Sequence, residues 1–204
     1  MAGFETTSTT MSFCLHELAV NPDIQRRLQE EIDSTLLEYG GKITYEAIQK
    51  MEYLDRVVSE TLRKYPPVSI LSRKCTLDYT IPGTNVRLDK GTRVIIPVFA
   101  IQRDSRYYSE PEQFDPERFT EENKAQRHNC TYLPFGEGPR ICIGMRFGLQ
   151  QTKLGLVTLL SKFQFSACSK TDNPPRLDPK ALVTASISGA WLRINLRPPT
   201  TSGH

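Results

Sequence analysis

The chain has 204 residues, of which 38% are apolar, and a net charge of +3. That is enough chain and apolar content for one domain with its own core, and the small charge with no long basic run excludes a nucleic-acid partner. No stretch of about 20 apolar residues is present, so no segment here reads as spanning a bilayer. The five cysteines (Cys14, Cys75, Cys130, Cys142 and Cys168) are odd in number and scattered. They fit neither a disulfide framework nor a zinc knuckle, and they point to a reducing compartment with inert packing for four of them. His16, His128 and His204 are too dispersed for a metal site.

In chain order, Phe4, Met11, Leu15 and Leu18 follow helical spacing with no capping residue before them. Met1 to Glu5 has neither the basic start nor the apolar core of a signal peptide. The chain is therefore expected to open inside a helix, with Met1 an internal position of a longer protein. Asn21-Pro22-Asp23 is a helix start: a cap, a proline at the first position and an acid in the first turn. Ile24, Leu28, Ile32 and Leu36 form the apolar face of that helix, and Gly40-Gly41 stops it. Another helix runs from about Tyr53 to Lys64 and ends at Pro66-Pro67. Its apolar stripe is Leu54, Val57, Val58, Thr61, Leu62 and Tyr65, which leaves Glu60 and Arg63 on the opposite side as an exposed pair three residues apart.

Short strands follow at Leu77 to Ile81, Val86 to Leu88 and Val94 to Ile96, and residues 105–140 read as irregular. A last helix carries Met145, Leu149, Leu156, Leu160 and Phe163. Val183-Ala185-Ile187 and Leu192-Ile194-Leu196 alternate with polar residues across Ser188-Gly189, the pattern of a hairpin. The fold class is mainly α with small β-sheets.

The most informative run is Phe135-Gly-Glu-Gly-Pro-Arg-Ile-Cys-Ile-Gly144. It sets Cys142 at the mouth of a helix beside Arg140, and both the helix N-terminus and the cation favour a thiolate. Glycines let the backbone pass close to the sulfur or to a flat ligand. A bare cysteine is most often a small buried hydrophobe; the surrounding pattern is what argues otherwise.

That pattern, Phe-x-x-Gly-x-Arg-x-Cys-x-Gly, resembles the haem-binding loop of the cytochrome P-450 family, with Phe135, Gly138, Arg140, Cys142 and Gly144 at its fixed positions. Ala2-Gly3-Phe4-Glu5-Thr6-Thr7 resembles the family's central-helix motif. Glu60-Thr61-Leu62-Arg63 resembles its Glu-x-x-Arg pair, and Pro116-Glu117-Arg118-Phe119 the block that completes that pair's network. The resemblance is greatest to insect microsomal members, and residues 1–204 would be the C-terminal portion of one such domain.

The resemblance implies haem (iron protoporphyrin IX) as cofactor, with Cys142 as the metal ligand. It also implies cofactor contacts from Arg73, Phe135, Gly138, Arg140 and Gly144, with Arg73 and Arg140 meeting the propionates. Glu5 and Thr6 would handle protons, and Glu60, Arg63 and Arg118 would form a buried structural network. The activity implied is a monooxygenase acting on a small apolar substrate, xenobiotic or lipid-like. Its partners would be an NADPH-dependent flavoprotein reductase, met by basic residues such as Arg146 and Lys153, and the endoplasmic reticulum membrane, reached from the cytoplasmic face through an N-terminal anchor. Pro67 to Leu71 and Val183 to Ala190 match segments that touch substrate. A reductase-independent isomerase of peroxides is the alternative within the family, against which Glu5-Thr6 argues. A non-catalytic haem-binding or interaction protein is the rival outside it. These 204 residues alone are expected to hold haem weakly or not at all and to be inactive.

Overall fold

A computed structural model describes residues 2–198, Ala2 by its backbone alone. Met1, with the expected internal start, and His204 lie outside the described residues.

Four helices make the core: α1 (Ala2–Val20), α2 (Pro22–Glu38), α4 (Glu52–Lys64) and α7 (Met145–Leu160), with short α3 (Tyr45–Lys50) between α2 and α4. Leu18, Leu28, Ile32, Leu54, Val57, Leu156 and Leu160 are fully buried where they meet. Each such side chain contributes roughly 1.5–3 kcal/mol by leaving water. The helix starts and stops follow local chemistry. Thr44 accepts a hydrogen bond from the Ala47 N–H at 3.2 Å and caps α3, a helix not among those expected from the sequence. Gly40 and Gly41 take φ of 62° and 75°, and the Gly41 N–H bonds back to the Leu36 carbonyl at 2.8 Å, closing α2. Asn21 stands at the cap position of α2, but its side chain donates to the Glu17 carbonyl instead of capping.

Three small antiparallel sheets sit at the edges. β1 (Leu71–Lys74) pairs with β4 (Arg93–Ile96), β2 (Tyr79–Thr80) with β3 (Arg87–Leu88), and β5 (Phe163–Ala167) with β6 (Leu192–Leu196). The short α5 (Val98–Ile101) follows β4, and residues 105–140, expected to be irregular, hold a 3₁₀ turn at Pro116–Phe119, helix α6 (Glu121–Gln126) and a 3₁₀ turn at Gly138–Arg140.

The expected C-terminal hairpin is absent. Leu192–Leu196 pairs with Phe163–Ala167, Phe163 opposite Leu196 and Ala167 opposite Leu192, while 183–187 makes only a bridge of Ser186 to Leu177. Alternation marks a strand and says nothing of its partner. β5 offers a better one, because Phe165 is buried in the core and Gln25 of α2 exchanges hydrogen bonds with its backbone N–H and carbonyl, both at 2.8 Å. Phe163, expected on the last helix, therefore begins a strand. Phe4 also departs from expectation: it is 77% exposed, whereas Leu18 on the same helix is fully buried.

Candidate active site

The segment before α7 is folded back on itself by its own backbone. The Gly136 N–H bonds to the Leu133 carbonyl at 3.1 Å, Ile141 N–H to Gly138 at 3.0 Å, and Cys142 N–H to Phe135 at 2.9 Å. Gly136 and Gly138 both have φ of 75°, a region most side chains avoid, so the glycines are what allow this path. The loop is anchored from outside as well. Buried Gln102 donates to the carbonyls of Leu62 and Arg63 at the end of α4 and accepts from the Leu133 N–H at 2.7 Å. Cys142 is thereby held three residues before α7, with its side chain exposed.

The sulfur's surroundings form a largely apolar cleft of about 400 Å³. One wall is α1, through Gly3, Thr6, Thr7 and Thr10. A second is the exit of α4 and the start of β1, through Pro67, Val68 and Leu71, and the floor runs from Pro134 and Phe135 to Cys142 and onward into α7. Of the residues singled out in the sequence, Thr6, Phe135, Arg140, Cys142 and Gly144 come together here.

Three do not. Glu5 is exposed and lies outside the lining, on the solvent side of α1. Gly138 shapes the loop rather than the wall. Arg73 lies within β1, not before the first strand as expected, and its Nη1 donates to the Ser72 carbonyl at 3.0 Å. It faces a separate small cavity shared with Cys130 and Glu137, and Leu71 borders both spaces. Gly144 is no tight fit on the sulfur, since a Cβ there would stand 3.9 Å from Cys142 Sγ. The sequence reading missed Gln102 and Thr10; neither belongs to a local motif.

Glu60 and Arg63 are not an exposed pair. Both side chains are 0% exposed, with Arg63 Nε and Nη2 at 2.6 and 2.9 Å from the two carboxylate oxygens. Arg63 also donates to the carbonyls of Gln102 and Pro111, Glu60 accepts from the Asp115 N–H, and Arg118 Nε stands 3.5 Å from Glu60. Burial pushes the Glu60 carboxyl above its ordinary range, and the Arg63 hydrogen bonds and charge oppose that. A helical wheel sees one helix; here residues 102–118 cover its second face.

Two further residues are re-read. Lys153 is buried and paired with Asp55, which removes it from any partner-facing patch, while Arg146 is exposed. Cys14 is fully buried and burial pushes its thiol up to about 12, so it is inert where Cys142 is open.

Residues 1–192 match the family Cytochrome P450. The chain belongs to that family. It is 50% identical over 195 residues to Cytochrome P450 6a2 of Drosophila melanogaster, covering 95% of this chain and 38% of that relative. Cytochrome P450 6k1 of Blattella germanica is 50% identical over 188 residues, 92% of this chain and 36% of the relative. Cytochrome P450 6B4 of Papilio glaucus is 50% identical over 193 residues, 95% and 39%. The chain thus spans under two-fifths of the length of these relatives.

Haem is the cofactor of the cytochrome P450 family, and the residues present fit it. In the cleft one thiol, apolar walls and one guanidinium suit a flat, largely apolar macrocycle that carries carboxylates and takes a thiolate ligand. No helix among the described residues is long and apolar enough to cross a membrane.

Proposed function

We propose that the full-length protein is a haem-thiolate monooxygenase. It inserts one atom of dioxygen into a small apolar substrate and reduces the other to water, taking electrons from NADPH through a separate flavoprotein reductase. One observation carries this reading: the Cys142 side chain is exposed in an apolar cleft whose opposite wall presents the threonines of α1. When bound, haem would supply dioxygen activation, and a thiolate ligand would favour cleavage of the oxygen–oxygen bond.

The residues of this chain have distinct parts. Cys142 Sγ would hold the iron, and the bond from its N–H to the Phe135 carbonyl fixes where the sulfur stands. Arg140 on the cleft edge would meet a propionate with its forked donors. Phe135, which lines the cleft beside Cys142, would shield the sulfur from water. Thr6 offers a hydroxyl on the cleft wall, and Glu5, adjacent and in water, would take up protons from solvent for it. Arg73 is the weaker candidate for a propionate, being turned to its own small cavity. The reductase would approach on the side of exposed Arg146, and the full protein would sit on the cytoplasmic face of the endoplasmic reticulum.

The absorption spectrum of the reduced carbon monoxide complex tests this. The full-length protein is expected to show the displaced main band of thiolate ligation, and Cys142→Ser to abolish it. A wild-type protein with the band of a nitrogen-ligated haem would refute the reading.

A further inference from the structure

Pro66 and Pro67, at the exit of α4, are both buried, and Pro67 with Val68 lines the same cleft as Cys142. Proline has no N–H, so this segment cannot brace itself by donating hydrogen bonds; its carbonyls must find donors elsewhere. Thr184, from the far end of the chain, supplies two. Its N–H donates to the Pro67 carbonyl at 2.9 Å and its Oγ1 to the Pro66 carbonyl at 2.6 Å. Thr184 is itself buried, at 8% exposure.

The segment carrying Thr184 is otherwise bonded to itself. Asp178 N–H donates to the Ala185 carbonyl at 2.9 Å and Ile187 N–H to Arg176 at 2.9 Å. Ser188 Oγ donates to Asp172, and Trp191 Nε1 to the Ser188 carbonyl at 2.7 Å. Among the described residues, apart from the Trp191 bond at the segment's own end, the two bonds of Thr184 are the hydrogen bonds that tie residues 172–190 to the rest of the protein. One residue therefore joins two things, the wall at Pro67 and Val68, which the Phe99 N–H also holds through the Ser69 carbonyl, and the 183–190 loop.

We propose that Thr184 is a positioning residue that sets the width of the Cys142 cleft by clamping the Pro66-Pro67 wall, and so governs which ligand shapes the cleft accepts. This rests on the reading of the cleft as the haem and substrate site, and it adds to that reading a residue outside the cleft lining.

The test uses the full-length, haem-loaded protein as wild type, Thr184→Val and Thr184→Ser. Valine keeps the volume and removes the hydroxyl; serine keeps the hydroxyl. The probes are imidazole, which needs little room, and 4-phenylimidazole, which must press on the wall. Their affinities are read from the shift of the haem absorption band. Thr184→Val is expected to weaken 4-phenylimidazole about tenfold, the scale of one lost buried hydrogen bond, and to move imidazole by less than about twofold. Amide hydrogen exchange in that variant is expected to quicken at residues 68–71 and 183–190 together and nowhere in α2. Thr184→Ser should behave as wild type in both readouts.

Equal shifts for both azoles, no shift for either, or unchanged exchange at the two segments would overturn the proposal. If the wild type instead lacks thiolate-ligated haem, the functional reading fails by itself. The exchange readout, which needs no haem, still decides whether Thr184 holds the wall.

Discussion

Replacing Arg63 with methionine removes a guanidinium that makes two close bonds to Glu60 and donates to the carbonyls of Gln102 and Pro111, with no part of either charged side chain exposed. Were this pair on the surface, as its spacing alone suggests, its loss would cost about 0.3–0.5 kcal/mol. Buried, the same change takes the close cation from the Glu60 carboxylate, leaving it Arg118 at 3.5 Å, and removes a donor from three carbonyls, for about 3–5 kcal/mol. Against a total stability of about 5–15 kcal/mol, that is at least about a fifth of what holds the fold. Glu60→Leu should cost somewhat less, about 3 kcal/mol, since Arg63 keeps its three carbonyl partners while the Asp115 N–H and Arg118 lose theirs. The double variant Glu60→Leu/Arg63→Met strands neither member of the pair, while Arg118 loses its acidic neighbour in the double variant as it does in Glu60→Leu, and it should lose about 2 kcal/mol less than the sum of the singles. Urea unfolding of the full-length protein, followed by far-ultraviolet circular dichroism, gives all four values. A loss under about 1 kcal/mol for Arg63→Met would refute the reasoning, because that is the range of an exposed pair. Strict additivity would refute it too.

The remaining expectations concern thiols, protons and haem. A thiol reagent added to the folded chain without haem should modify the exposed Cys142 and Cys130 promptly and leave Cys14 untouched until denaturant is added, since Cys14 is fully buried with its thiol pushed up to about 12; peptide mapping of early Cys14 labelling would contradict this. Burial lowers His16 below its usual 6.5, so below that pH the unfolded chain takes up a proton that the folded one resists. Stability from this group is therefore complete above pH 6.5 and declines as pH falls toward the lowered folded value; urea midpoints between pH 7 and 5 should show a shallower decline in His16→Gln, and an identical slope would count against it. The 204 residues alone should take up haem weakly, because Cys142 is exposed, Phe147 beside it is 66% exposed and Ile143 is wholly in water; a titration showing tight uptake would overturn that expectation.

What the sequence made legible was local, and the reason is physical. The face of α2 at Leu28 and Ile32 and its stop at Gly40-Gly41 depend on residues within a turn or two of each other. The Cys142 loop depends on ten consecutive residues that bond to one another, so its pattern survives reading along a line. The site's other walls do not. Pro67, Val68 and Leu71 stand at the cleft because Thr184 and Gln102 reach them or their neighbours from 30 to 120 residues away, and a threonine or glutamine doing so looks like any other. The helical wheel puts Glu60 on an exposed face for the same reason, judging it by its own element, whereas the resemblance implies the buried network with Arg63 and Arg118 that the structure holds. β6 was paired wrongly because the residues that select its partner, Phe165 and Gln25, lie in other segments.

These long-range tethers share one chemistry. Gln25, Gln102 and Thr184 are uncharged, buried and bonded to backbone groups that helix and sheet ladders leave over. An uncharged donor pays little to leave water once it is bonded, whereas a charge in the same place would need a partner as elaborate as that of Arg63. Apolar contacts between α1 and α7 bring the cleft walls near each other but are non-directional and tolerate sliding. Hydrogen bonds with fixed geometry select one arrangement among those the core allows. In this chain the core therefore decides that there is a cleft beside Cys142, and a few neutral side chains far from it in sequence decide its shape.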